Sequence, residues 1–274
     1  MKIRSITCFY DPGARDADRN LGRLGRLAAT GRERFAAAGI PVQTVRLATA
    51  AFPDLVPSCC DESAANLVAT LEGEALARGF DYISFGPALP NFPDSYRLIP
   101  AMLAASKAAF FSGSMTSPQN GIHLAAVRAC AEVIDQAAPI SPDGFANLRF
   151  AALANVPPGG PFFPAAYHAS GAGPAFALAI ESADEAVAAF REAASLADAR
   201  SLLLDRLNNA AEKMEEITRQ LALEYPADFL GFDFSLAPFP VPEVSLGGAM
   251  ESLGVSALGL SGSLAAAAFV ADAL

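Results

Sequence analysis

Two ionisable residues stand alone in apolar, strand-like segments: Arg149 in FANLRFAALAN and Asp233 in FLGFDFSLA. A lone charge buried in such a setting costs on the order of several kcal/mol, so each demands a partner. They can satisfy each other as a structural ion pair. Alternatively, Arg149 grips a carboxylate or phosphate through its bidentate fork, while Asp233 orients that ligand or acts as a base. Asn147, Asn155 and Ser235 would add hydrogen bonds. Side chains alternate across a strand. Parity therefore places Asn147, Arg149 and Asn155 on one face, and Gly231, Asp233 and Ser235 opposite Leu230, Phe232, Phe234 and Leu236.

Two Ser-Gly-Ser triplets are a second signal. Ser112, Gly113 and Ser114 end a predicted strand, and Ser261, Gly262 and Ser263 precede a predicted helix. Glycine lets a backbone approach an anion, and a helix start presents free N–H groups. Neither is a P-loop, because no Gly-Lys-Ser/Thr follows; an ordinary N-cap is the plainer account of Ser261 or Ser263. His168 follows a Pro/Gly loop and titrates near neutrality, so it is the candidate general acid or base beside Asp233. It lacks a nucleophile motif, and a bystander role competes with the catalytic one. His123, at a helix start, is the weaker of the two histidines. The four cysteines (Cys8, Cys59, Cys60, Cys130) have no CxxC spacing, so no zinc site is expected, and Cys59 and Cys60 read as loop thiols. No motif names a cofactor.

The elements that must position these groups alternate. Strands are predicted at Ile3–Tyr10, Val42–Leu47, Tyr82–Gly86, Ala109–Ser114, from Phe145 onward, at Ala175–Ile180 and at Phe229–Leu236. Helices are predicted over 16–38, 61–79, 94–106 and 201–224, the last with a stripe from Leu203 to Leu221 that suits a helix contact or a dimer seam. Leu124, Val127, Ala131 and Ile134 mark a further helix, and Ser182 with Glu185 fits a capping box. The proline-glycine loop before His168 is expected to form a rigid rim. With no composition break, the 274 residues read as one α/β domain, 1–274. Hydrophobic content is 53% and formal net charge −10. That balance argues against nucleic acid or a membrane as partner, while leaving room for a small anionic metabolite. The amino terminus shows no signal peptide, so a cytoplasmic protein with reduced thiols is expected. The final helix stops without a cap, which suggests a shortened chain.

Several strands pair one apolar face with one of small or polar residues, such as Ser5 and Thr7, Ser84, and Ser112 and Ser114. A sheet covered by helices on both sides would be apolar on both. A barrel with something in its interior explains the alternation; scattered, satisfied core polars are the competing account. The segments PISPDGFANLRFAALANVPPGGPFFPAAYH, GFDYISFGPALP, FFSGSM and GFDFSLAP resemble the prokaryotic family known as domain of unknown function 711. The resemblance runs over essentially the whole chain. It implies the ten-stranded α/β barrel of pyruvate formate-lyase and other glycyl radical enzymes, incomplete at the C-terminus because members are usually longer. It implies no reaction, and no radical-glycine motif supports glycyl radical chemistry here. The leading expectation is an enzyme, or former enzyme, that binds an anionic metabolite inside the barrel. A metabolite sensor using the same pocket and a self-associating protein, such as a homodimer, are the alternatives.

Overall fold

The computed structural model describes residues 1–56, 60–236 and 241–274. Cys59 and the core of the proline-rich stretch after Leu236 lie outside the described residues. In chain order the strands are β1 (Lys2–Tyr10), β2 (Val42–Ala51), β3 (Tyr82–Gly86), β4 (Ala109–Ser114), the small hairpin β5 (Thr116–Ser117) and β6 (Gly121–Ile122), β7 (Phe150–Leu153), β8 (Ala175–Glu181) and β9 (Asp228–Ser235). The helices are α1 (Ala17–Ala37), α2 (Asp61–Ala77), α3 (Ile99–Ala104), α4 (Leu124–Ala137), α5 (Phe145–Leu148), α6 (Ala183–Glu192), α7 (Leu196–Glu224), α8 (Leu246–Glu251) and α9 (Ser263–Ala273).

Seven strands form one curled sheet in the order β7-β4-β3-β2-β1-β8-β9, a half-barrel. The first five run parallel to their neighbours; β8 is antiparallel to β1, and β9 is parallel to β8. Within the described residues β7 and β9 are edges, so this sheet does not close. Its outer face carries Ile6, Cys8, Leu47, Phe85, Phe111, Phe176 and Leu178, which pack on Leu24 and Leu27 of α1, Val68 of α2, Met102 of α3 and Met214 of α7.

The inner face holds the small and polar residues that sequence parity assigned to it. Its occupant is the protein's own chain. The connection from β7 to β8 starts at one edge and must pass β4, β3, β2 and β1 to reach its strand. Residues 154–174 make that crossing as a strap, the same proline-glycine stretch expected as a rim. Prolines leave carbonyls without companion N–H groups, and the inner face supplies hydroxyl donors. Thr7 donates to the Pro161 carbonyl (2.8 Å) and Ser84 to that of Pro164 (3.4 Å). Phe163 packs near Phe9, Ala48 and Ala166, and meets the Phe110 ring edge-on at 5.4 Å.

Several expectations need correction. The strand expected from Phe145 is instead the helix α5, followed by β7. Local capping decides this: Asp143 accepts the Phe145 N–H, Ser141 accepts that of Ala146, and Gly144 turns at φ 73°. Asn147 is thus helical and Arg149 sits at the helix end, so strand parity does not relate them. In β9, Gly231 (φ 118°) interrupts the register with β8. Phe229, Phe232 and Phe234 then share the face that packs on the core, leaving Leu230 and Asp233 exposed. Ser182 forms no capping box: its hydroxyl donates to the Ser235 carbonyl, while Glu185 pairs with Arg206. The reciprocal cap lies at α7, where Ser195 accepts the Asp198 N–H and Asp198 accepts that of Ala194. Leu203, Leu207, Met214 and Leu221 of α7 are buried within the chain. The stripe Leu124, Val127, Ala131 and Ile134 is exposed, and α4 buries Ala126, Cys130, Val133 and Ala137 instead.

Candidate functional site

Arg149 is buried, and its fork is committed to backbone. Nη1 donates to the Ser106 and Ala109 carbonyls and to the Ser106 hydroxyl, and Nη2 donates to the Leu103 carbonyl at 2.9 Å. The guanidinium therefore seals the C-terminal end of α3, where free carbonyls favour a cation. Burial lowers its pKa, and the nearby Glu72 carboxylate opposes that shift. Asp233 stands on β9 at the opposite edge of the sheet, so the expected ion pair is not formed. It lines a cleft of about 520 Å³ with Gly159, Pro161, Asn208 and Leu230, and partial burial raises its carboxyl above the ordinary range.

The remaining sequence candidates are dispersed. His168 is buried near Phe9; its Nε2–H donates to the carbonyls of Gly173 (2.9 Å) and Ala172 (3.3 Å), which holds the strap's end. Ser114 donates to the Thr116 carbonyl, Cys130 packs on Gly113, and the buried Ser112 hydroxyl has no partner among the described residues. Asn147 Oδ1 is likewise buried without a partner among the described residues. Asn155 is exposed at φ 56°, its N–H held by Thr116. The carbonyl of Ser235 accepts from Ser182. Gly262 (φ 98°) occupies the N-cap position of α9, beside exposed Ser261, and Ser263 donates to the Leu260 carbonyl. His123 occupies the N-cap position of α4 and its ring meets the Ser117 hydroxyl at 2.8 Å, and Cys60 precedes α2 with its thiol 2.9 Å from the Ser63 hydroxyl. Arg149, Asp233, His168 and the two triplets do not converge.

A different arginine faces a cleft. Arg46 lies in the middle of β2 and is only 7% exposed. Its Nε donates to the Thr44 hydroxyl at 2.9 Å. Its guanidinium carbon lies 5.1 Å from the ring centre of Phe163 in the strap and 5.9 Å from that of Tyr82. Among the described residues no carboxylate pairs with it. Burial and the neighbouring Arg4 pull its pKa down to about 10. The cleft it faces has a volume of about 730 Å³, with Phe162, Phe163, Pro41, Ala183 and Val244 as apolar wall. Four cationic groups (the Met1 ammonium, Lys2, Arg4 and Arg46) line it against two carboxylates, Glu181 and Asp184, in a chain of net charge −10. Glu181 is shared by Lys2 (3.0 Å) and Arg4 (2.8 Å), and the ammonium pairs with Asp184. Sequence reasoning missed Arg46, although VQTVRLATAA isolates it among apolar residues as FANLRFAALAN isolates Arg149.

The family model described as Uncharacterised ACR (DUF711) matches residues 1–274. The chain belongs to this family. Similar DUF711-type proteins, each called UPF0210 protein, occur in Pyrobaculum islandicum (30% identical over 247 residues, covering 86% of this chain and 54% of that protein) and Neisseria gonorrhoeae (26% over 257 residues, 90% and 57%). A third, from Actinobacillus succinogenes, is 26% identical over 280 residues, covering 98% of this chain and 62% of its own. The DUF711 chain described here thus spans little more than half the length of the relatives it matches.

Proposed function

We propose that the protein binds a small organic anion in the cleft around Arg46. One observation carries this reading: Arg46, a residue only 7% exposed, has no carboxylate partner among the described residues and faces a cleft with surplus positive charge. A buried, unpaired cation is costly, and a ligand anion would supply the missing partner. The reading is one of binding, as in a metabolite sensor, rather than of turnover. Lys2 and Glu181, which could carry protons there, are held together as an ion pair. The test is thermal melting of wild type and Arg46→Met in a series of small organic anions. The account expects a saturable rise in Tm for wild type alone, and equal shifts in both proteins would remove it.

The finer architecture belongs to the same proposal. A seven-stranded curled sheet with two open edges, in a chain shorter than its relatives, suits part of a ten-stranded barrel of the glycyl radical type. Free Cys8 and Cys130 suit a reducing cytoplasm. No helix among the described residues is long and apolar enough to cross a membrane.

Self-association is a second reading, favoured by the exposed apolar side chains Leu124, Val127 and Ile134 of α4 beside Phe145 and Leu148 of α5. Sizing in solution tests it: concentration-dependent dimers lost on Val127→Lys support it, and a monomer throughout the micromolar range removes it.

A further inference from the structure

We infer, building on the anion-binding reading above, that the ligand of the Arg46 cleft is an organic dicarboxylate, one carboxylate on Arg46 and the other at the Lys2–Arg4 rim. Each cationic position constrains the ligand in its own way. The ring centres of Phe163 and Tyr82 lie close to the Arg46 guanidinium, and its Nε edge is taken by Thr44. The terminal Nη1 and Nη2 remain, and that pair suits the two oxygens of a carboxylate. At the rim, Glu181 is a single carboxylate shared between Lys2 and Arg4, so one positive charge stays uncompensated.

The separation between the two positions argues for two anionic groups. Thr7 of β1 is opposite Arg46 of β2, and Arg4 lies three residues earlier on β1. That is about 10 Å along the strand at the backbone. The Arg46 side chain leans back toward Thr44, beside Arg4, which narrows that gap, and a dicarboxylate with a short hydrocarbon middle offers one carboxylate to each position, as a single compact anion such as phosphate does not. The cleft that both positions line has apolar wall from Phe162, Phe163 and Val244. The neighbouring Arg4 charge disfavours that of Arg46, so an anion reaching both positions relieves a repulsion already present.

Calorimetric titration with glutarate, butyrate and inorganic phosphate tests the inference on wild type, Arg46→Lys and Arg4→Gln. Arg4→Gln leaves Lys2 and Glu181 as a neutral pair. Wild type is expected to bind glutarate about fivefold more tightly than butyrate, the worth of one exposed charged contact. That preference should vanish in Arg4→Gln with butyrate affinity retained. Arg46→Lys keeps the charge and the fold but loses the fork, and should weaken both carboxylates about tenfold. Butyrate or phosphate binding as tightly as glutarate, with Arg46 still required, overturns the dicarboxylate assignment and leaves the anion site standing. If none of the three binds in an Arg46-dependent way, the anion-binding reading itself fails.

Discussion

The guanidinium of Arg46 and the ring of Phe163 face each other at 5.1 Å, which joins a strand of the sheet to the strap that crosses it. Arginine stacks on aromatic faces while its edge nitrogens stay free to bond. The strap therefore does two jobs: it fills the polar inner face of the half-barrel, and it roofs the only arginine of β2 beside a cleft.

Thr44 orients that arginine by accepting from Nε, and it also donates to the Arg4 carbonyl at 2.9 Å. Thr44→Val removes both bonds at nearly constant volume. Urea unfolding is expected to show a loss of about 2 kcal/mol, the cost of leaving buried polar groups unpaired. Anion affinity should fall with it, because the fork loses its fixed orientation.

Arg149 is expected to behave as structure. Arg149→Met leaves the Leu103, Ser106 and Ala109 carbonyls without their cation and should cost about 3 kcal/mol or more in denaturant unfolding. At a temperature where the variant is still folded, its anion affinity should equal that of wild type. A selective loss of binding would place Arg149 in the site after all.

Gly113 is a contact glycine. An added Cβ would meet Cys130 Sγ at 2.8 Å and Tyr96 Cε1 at 3.1 Å. Gly113→Ala is therefore expected to lower stability by about 1–3 kcal/mol through overpacking, read as a lower Tm with ligand affinity unchanged.

His168 should make the fold acid-sensitive. Burial holds its pKa below the ordinary value of 6.5, although Ala172, Gly173 and Asp11 pull the other way. The unfolded chain takes up the proton first, so stability is constant above about pH 6.5 and declines as pH drops below it. His168→Gln keeps a side-chain N–H donor and removes the titration. Unfolding free energies measured at pH 5 and pH 8 should differ less in that variant than in wild type.

Most elements were legible in the sequence because their signals are local. Gly39 ends α1 at φ 75° where a left-handed residue was expected, and the bounds of β3 and β4 match the apolar runs that announced them. The site was less legible because it depends on the crossing of the strap. Parity correctly gave Ser5, Thr7, Ser84 and Ser112 one common face, yet nothing local says that residues 154–174 cover it. Strand order supplies that fact. Arg149 and Arg46 look alike in sequence, each a lone charge among apolar neighbours. The difference is what surrounds their Nη atoms: helix-end carbonyls for one, a cleft for the other. The stripe of α4 misled in the other direction, since periodicity finds an apolar face without saying whether the fold covers it.

The central claim is that Arg46 meets an anion in its cleft, and the most direct measurement is side-chain 1H–15N NMR of the arginine Nε and Nη groups during titration with glutarate. The account predicts a saturable shift of the Arg46 signals, absent from those of Arg149. Arg46 signals that stay fixed at saturating anion, or that move only in step with surface arginines such as Arg128, would contradict it.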